Sequence, residues 1–121
     1  MDEEQQTGSA HLIAFDPGGR QLRPAPMVHF DRRELTAILN LYGKKVADGE
    51  WRDYAMDFLK DRALFSIFKR ASERPVFVVE KHPKLRNRQG QYMVTGQDGR
   101  VLKRGHELEN VLRVLELAVV K

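Results

Sequence analysis

Apolar and polar side chains alternate along the middle of the chain, from residue 54 to residue 81. A period of two is typical of a β-strand that buries one face, and the many β-branched and aromatic residues favour a pleated sheet. Breaks at 60–61 and 71–75 divide the run into three segments, which predicts a three-stranded antiparallel meander. A helix over 52–62 is the alternative, since Tyr54, Phe58 and Leu59 would share one of its sides.

A helical pattern precedes the meander. Asp31 can cap a helix, with Glu34 three residues later as its reciprocal partner. The apolar residues that recur at helical spacing are Leu35, Ile38, Leu39, Tyr42 and Val46. Gly49 is well placed to end the helix. We therefore predict a helix over residues 31–47.

The last third of the chain predicts two more strands and a second helix. Residues 91–95 and 100–103 carry strand patterns, and the Asp98-Gly99 pair between them is a strong hairpin signal. A closing helix is predicted to begin near His106, with its apolar face formed by Leu108, Val111, Leu112 and Leu115. The predicted fold class is α+β, a five-stranded antiparallel meander sheet with an N-terminal and a C-terminal helix packed on one face.

The first 27 residues differ from the rest of the chain. Residues 1–10 are polar and acidic, and prolines and glycines follow between 17 and 26. We predict that 1–27 is mostly a disordered acidic tail and an extended Pro/Gly segment, in which 11–15 could form a short edge strand of the sheet. Residues 28–121 are predicted to form a single α+β domain.

The composition excludes several kinds of site. The chain has no cysteine, which excludes disulfides, thiolate zinc sites and cysteine nucleophiles. The four histidines lack metal-binding spacing, and neither glycine pair belongs to a phosphate-binding loop motif, so we predict no metal and no cofactor. The sequence has no run of eighteen apolar residues, so we expect a soluble, cytoplasmic protein without a membrane partner.

Positive charge is concentrated in the second half of the chain. Residues 1–60 carry eight Lys and Arg against ten Asp and Glu, whereas residues 61–121 carry thirteen against seven. Such a bias favours a polyanionic or acidic partner. The residues predicted to contact nucleic-acid phosphates are Lys81, Lys84, Arg86, Arg88, Arg100, Lys103 and Arg104. His82, Tyr92 and His106 could assist by stacking or hydrogen bonding.

A catalytic role is the third alternative for this region. A ribonuclease needs a base and phosphate-binding cations, and His82 or His106 could act with Glu80, Arg86 and Arg104. Nothing in their spacing requires such a site. We therefore predict a protein that is not an enzyme and has no catalytic residues.

Five separate strings of the sequence stand out together: FDRREL at 30–35, GEWRDYA at 49–55, KDRA at 60–63, EKHPKL at 80–85 and LKRGHEL at 102–108. In this order they resemble one uncharacterised family of small alphaproteobacterial proteins, known as a domain of unknown function. The resemblance covers residues 29–116. It implies a bacterial cytosolic protein, and it brings no catalytic residues to carry over.

From these observations we expect a small non-enzymatic binding module that contacts the phosphate backbone of DNA or RNA through a basic loop and hairpin. The alternative is a protein-interaction or regulatory adaptor that docks through a sheet edge or through the apolar segment 11–15. An acidic protein partner is compatible with the same cations. The oligomeric state stays open, and a homodimer is one of the options.

Overall fold

The computed structural model describes residues 14–15, 17–19, 21–22, 27–69 and 73–117. Within these ranges the chain forms seven strands and two α-helices. In order they are β1 (Ala14–Phe15), β2 (Gln21–Leu22), α1 (Arg32–Ala47), β3 (Asp53–Phe58), β4 (Ala63–Phe68), β5 (Phe77–Lys81), β6 (Tyr92–Gly96), β7 (Val101–Gly105) and α2 (Leu108–Leu117). A short 3-10 turn, Pro83–Leu85, lies between β5 and β6. Neither α-helix in the described ranges is long and apolar enough to cross a membrane.

The central sheet is an antiparallel meander with the strand order β3-β4-β5-β6-β7. The predicted α+β fold is thus confirmed. Residues 53–58 form a strand, so the helical alternative over 52–62 is wrong. The backbone N–H of Leu59 donates to the carbonyl of Arg62 at 2.9 Å, and this tight turn brings Phe58 opposite Ala63. The ladder with β4 then pairs the backbone groups of β3 that face β4, whereas a helix would have had to pair its backbone internally.

Within the described ranges the two N-terminal strands pair with each other alone, as Ala14 lies opposite Leu22 and Phe15 opposite Gln21. A strand was predicted within 11–15, and residues 14–15 do form one. It pairs locally rather than with the edge of the central sheet, because the turn at 17–19 returns the chain at once. Residues 1–13, which include the predicted acidic tail, lie outside the described ranges.

Helix α1 begins as its sequence predicts. The side chain of Asp31 accepts a hydrogen bond from the N–H of Glu34 at 2.8 Å, and the Glu34 carboxylate accepts one from the N–H of Asp31 at 2.8 Å. Val46 was predicted on the buried face but is exposed, and Leu41 is buried instead. The buried stripe is rotated because α2 packs beside α1 and covers the side that carries Leu41.

Both helices pack on the same face of the sheet. In α1 the ring of Tyr42 lies 6.0 Å from the ring of Phe65 on β4, and in α2 Val111 lies against Gly105 at the end of β7. The largest fully buried side chains are Ile38, Trp51, Phe65, Ile67, Val79, Val94, Leu108, Val111 and Leu115. The apolar face predicted for the second helix is confirmed, and that helix begins at Leu108, two residues after His106.

Candidate nucleic-acid interface

The connection between β5 and β6, residues 82–91, carries three of the predicted cations, and we call it the basic loop. Its ends are joined by a hydrogen bond from the N–H of His82 to the carbonyl of Gln91, at 2.6 Å. Inside the loop the carbonyl of Leu85 accepts from the N–H groups of both Arg88 and Gly90, each at 3.0 Å. The loop backbone is therefore held by its own hydrogen bonds, and its side chains project from a fixed frame.

A close backbone contact fixes this frame to the sheet. Gly90 adopts φ 102°, a left-handed conformation that favours glycine. A Cβ atom added at Gly90 would lie 2.9 Å from the Cα of Gly105 and closer still to its carbonyl group. Only a residue without a side chain fits here, so the loop packs directly on the end of β7.

Three cations project from the loop into solvent. Lys84, Arg86 and Arg88 are all exposed. In the part of the chain that the structure describes, none of their side chains forms an ion pair or a hydrogen bond. Because they occupy alternate positions of a short, hydrogen-bonded loop, they concentrate three unneutralised charges at one end of the sheet.

Arg104 adjoins the basic loop and supports it. This half-buried side chain points away from the helices. Its Nη1 donates to the side-chain carbonyl of Gln89, and its Nη2 lies 3.2 Å from the sulfur of Met93. Its Nε is buried and has no hydrogen-bond partner among the described residues. Sequence reasoning did not identify Gln89, which joins the loop to β7 through this contact.

Lys81 and Tyr92 lie beneath the helices and are not part of the exposed cluster. Both contact the carboxylate of Glu34, which is 2% exposed at the start of α1. The ammonium of Lys81 lies 2.7 Å from Oε1 of Glu34 and 2.9 Å from the carbonyl of His29. The hydroxyl of Tyr92 donates to Oε2 of Glu34. We call these three side chains the buried network.

The pKa of the Tyr92 phenol reflects the burial of this network. Burial raises that pKa well above its usual value of 10, and the hydrogen bond to the Glu34 carboxylate raises it further. Tyr92 is therefore a neutral hydrogen-bond donor in the core and is not available to stack on a base. The buried network joins the first turn of α1 to β5 and β6, which is a structural role.

Arg100 and Lys103 lie apart from the basic loop. Arg100 sits in the β6–β7 turn, at least about 13 Å along β6 from the end that carries the loop. Its side chain lies 3.4 Å from the carboxylate of Asp98, and its N–H donates to the same carboxylate at 3.0 Å, which lowers the pKa of Asp98. Lys103 lies opposite Val94, on the sheet face that the helices cover.

The two candidate histidines have different surroundings. Nε2 of His82 lies 2.8 Å from Oε1 of Glu80, and both side chains are mostly buried. His106 is exposed and directly follows Gly105. Among the residues that the structure places, no group of three or more His, Asp or Glu could hold a metal ion.

The seven predicted cations therefore occupy five environments. Lys84, Arg86 and Arg88 form an exposed group that has no ion pair or hydrogen bond with the described residues. Arg104 supports this group from β7. The feature that sequence reasoning missed is the buried network. The sequence did contain a signal for this network: at the strand period of two, Lys81 lies on the same face as Phe77 and Val79, which face the core.

Comparison with known proteins gives a family but no characterised relative. No curated protein and no solved structure matches the chain. A family model described as a protein of unknown function (DUF2794) matches residues 28–112, which is more than half of the chain and contains α1, the five-stranded sheet and the first half of α2. The chain therefore belongs to the DUF2794 family of proteins of unknown function.

Proposed function

We propose that this protein is a small non-enzymatic module that binds the phosphate backbone of nucleic acid through the basic loop. The observation that carries the proposal is the group of three exposed, unpaired cations on a loop whose backbone is fixed by hydrogen bonds and by the Gly90–Gly105 contact. Because the loop backbone is already held in place, ligand binding costs little further backbone entropy. We also propose that the protein is bacterial and cytoplasmic.

The chemistry of the loop favours phosphate over base recognition. Lys84 provides a flexible point charge, and Arg86 and Arg88 provide forks that can bind two phosphate oxygens at once. Tyr92, the aromatic residue considered for base stacking, is in the core. We therefore expect binding with little sequence preference.

The size of the expected effect follows from counterion release. Three phosphate contacts release about two to three ions, so neutralising all three cations weakens binding by about 100-fold or more near 0.1 M salt. The test compares the wild type with a Lys84→Gln/Arg86→Gln/Arg88→Gln variant, using fluorescence anisotropy of labelled single- and double-stranded DNA and RNA.

The matched control is an Arg52→Gln/Arg74→Gln/Arg100→Gln variant. These arginines are also exposed, and they lie toward the opposite end of the sheet. Both variants lose three positive charges, so a difference between them reports position rather than net charge. Equal binding by the loop variant and the wild type, or equal losses in both variants, would refute the proposal.

A further inference from the structure

A second surface lies along the edge strand β7, which pairs with β6 on the side away from β5. Within the described ranges no strand pairs with the outer side of β7. Val101 and Leu102 on this strand are 42% and 40% exposed. An uncovered edge offers unpaired backbone N–H and C=O groups, which can accept another strand.

A groove of about 210 Å³ lies between β7 and α2 beside this edge. Its lining consists of Lys103, Asn110, Arg113, Val114 and Leu117. Leu117 is 79% exposed, so the apolar wall of the groove faces solvent. Lys103 and Arg113 form no ion pair or hydrogen bond with any residue that the structure describes. The groove thus combines two unpaired cations with an apolar wall.

We propose that this β7–α2 groove docks an extended acidic segment of a protein partner, as an additional strand on β7. Alternate side chains of an added strand point to the same face. Those that face α2 would place carboxylates near Lys103 and Arg113, and an apolar side chain two residues away could contact Val114 and Leu117. Backbone hydrogen bonds to β7 would supply affinity, and the two cations would select acidic segments.

The charges on β7 argue against a second copy pairing edge to edge. Two antiparallel β7 strands would bring the Lys103 and Arg104 positions of both copies into one short ladder, and like charges across a ladder repel. A nucleic acid would use the two cations but would gain nothing from the strand edge or from Val114 and Leu117. An acidic, partly apolar peptide uses all three features. This inference is independent of the basic loop.

The test uses a labelled peptide of repeated Glu-Thr-Val-Thr, in which Glu and Val alternate along one face of the strand, and a control peptide in which Lys replaces Glu. Binding to the full chain is followed by anisotropy and by chemical-shift changes of backbone amides, with peptide up to about 1 mM. We expect shifts confined to 101–105 and 110–117 with the acidic peptide. A Lys103→Glu/Arg113→Glu variant should bind at least about tenfold more weakly, since it reverses two contacts. An Arg52→Glu/Arg74→Glu control, whose two exposed arginines lie on or before strands away from β7, should bind like the wild type.

Four results would overturn the inference. They are the absence of shifts in 101–105, equal binding of the Lys peptide, shifts centred on Lys84 to Arg88, and concentration-dependent self-association that protects the β7 amides without peptide. A loss of oligonucleotide binding in the Lys103→Glu/Arg113→Glu variant, with peptide binding intact, would assign the groove to nucleic acid instead.

Discussion

Replacing Lys81 by methionine tests whether this lysine is a structural group or a ligand contact. Methionine keeps most of the length and apolar character of the lysine side chain but removes the ammonium group. In the wild type that group lies 2.7 Å from the Glu34 carboxylate, whose side chain is 3% exposed, while the Lys81 side chain is 15% exposed. The substitution therefore leaves a buried carboxylate without its positive partner.

The expected loss of stability can be bracketed from the remaining contacts. Removing one partner of a buried ion pair typically costs about 3–5 kcal/mol. Glu34 keeps two donors, the Tyr92 hydroxyl and the N–H of Asp31, so part of its charge stays solvated by the protein. We therefore expect Lys81→Met to lower the free energy of unfolding by about 2–4 kcal/mol. For a domain whose total stability is about 5–15 kcal/mol, this is a large fraction.

The assay is equilibrium denaturation followed by the fluorescence of Trp51, which is the single tryptophan and is 1% exposed. Lys84→Met serves as the control, because Lys84 is exposed, and it should change stability by less than about 0.5 kcal/mol. A Glu34→Gln/Lys81→Met double variant should lose less than the sum of the two single variants, since the pair couples by about 0.5–3 kcal/mol. The reasoning would be refuted if Lys81→Met kept full stability and lost nucleic-acid binding.

Three further predictions concern the loop, the buried phenol and the helix cap. Gly90→Ala should reduce the free energy of unfolding by about 1–3 kcal/mol and weaken oligonucleotide binding. The control Gly99→Ala should leave binding unchanged, because Gly99 has a similar φ of 83° but open space around it. Equal losses of binding in the two variants would contradict the fixed loop backbone. The pKa of Tyr92 in the folded protein lies above its unfolded value of 10, so the phenol contributes its full stabilisation below pH 10 and loses it as the pH rises further. Denaturation curves above pH 10 should therefore show a steeper fall in the free energy of unfolding for the wild type than for Tyr92→Phe. Asp31→Ala should cost about 1 kcal/mol in the same denaturation assay, and an unchanged midpoint would show that the cap contributes little.

Much of the fold could be predicted because its signals are local. The capping box of Asp31 and Glu34 involves residues three apart, and the helix it begins was predicted with nearly correct bounds. The period of two and the Asp98-Gly99 turn likewise predicted the meander. The error at Val46 arose because the helical spacing allows more than one stripe, and only the position of α2 selects the stripe that contains Leu41.

The candidate site was less predictable because it depends on which strand ends meet. Arg100 and Arg88 are near each other in the sequence, but an antiparallel hairpin carries the β6–β7 turn away from the basic loop. The role of Lys81 depends on Glu34, which is 47 residues away in the chain. A cationic residue on an otherwise apolar strand face, as at Lys81 after Phe77 and Val79, is a sequence signal for such a buried pair.

The most direct test of the proposed function is the salt dependence of oligonucleotide binding. Three phosphate contacts predict that the logarithm of the association constant falls with the logarithm of salt concentration, with a slope of about −2 for single strands and about −3 for duplexes. The Lys84→Gln/Arg86→Gln/Arg88→Gln variant should show a slope near zero, and the Arg52→Gln/Arg74→Gln/Arg100→Gln control should keep the wild-type slope. No binding of the wild type at low salt, or the same slope in the loop variant, would contradict the assignment of the basic loop as the phosphate contact.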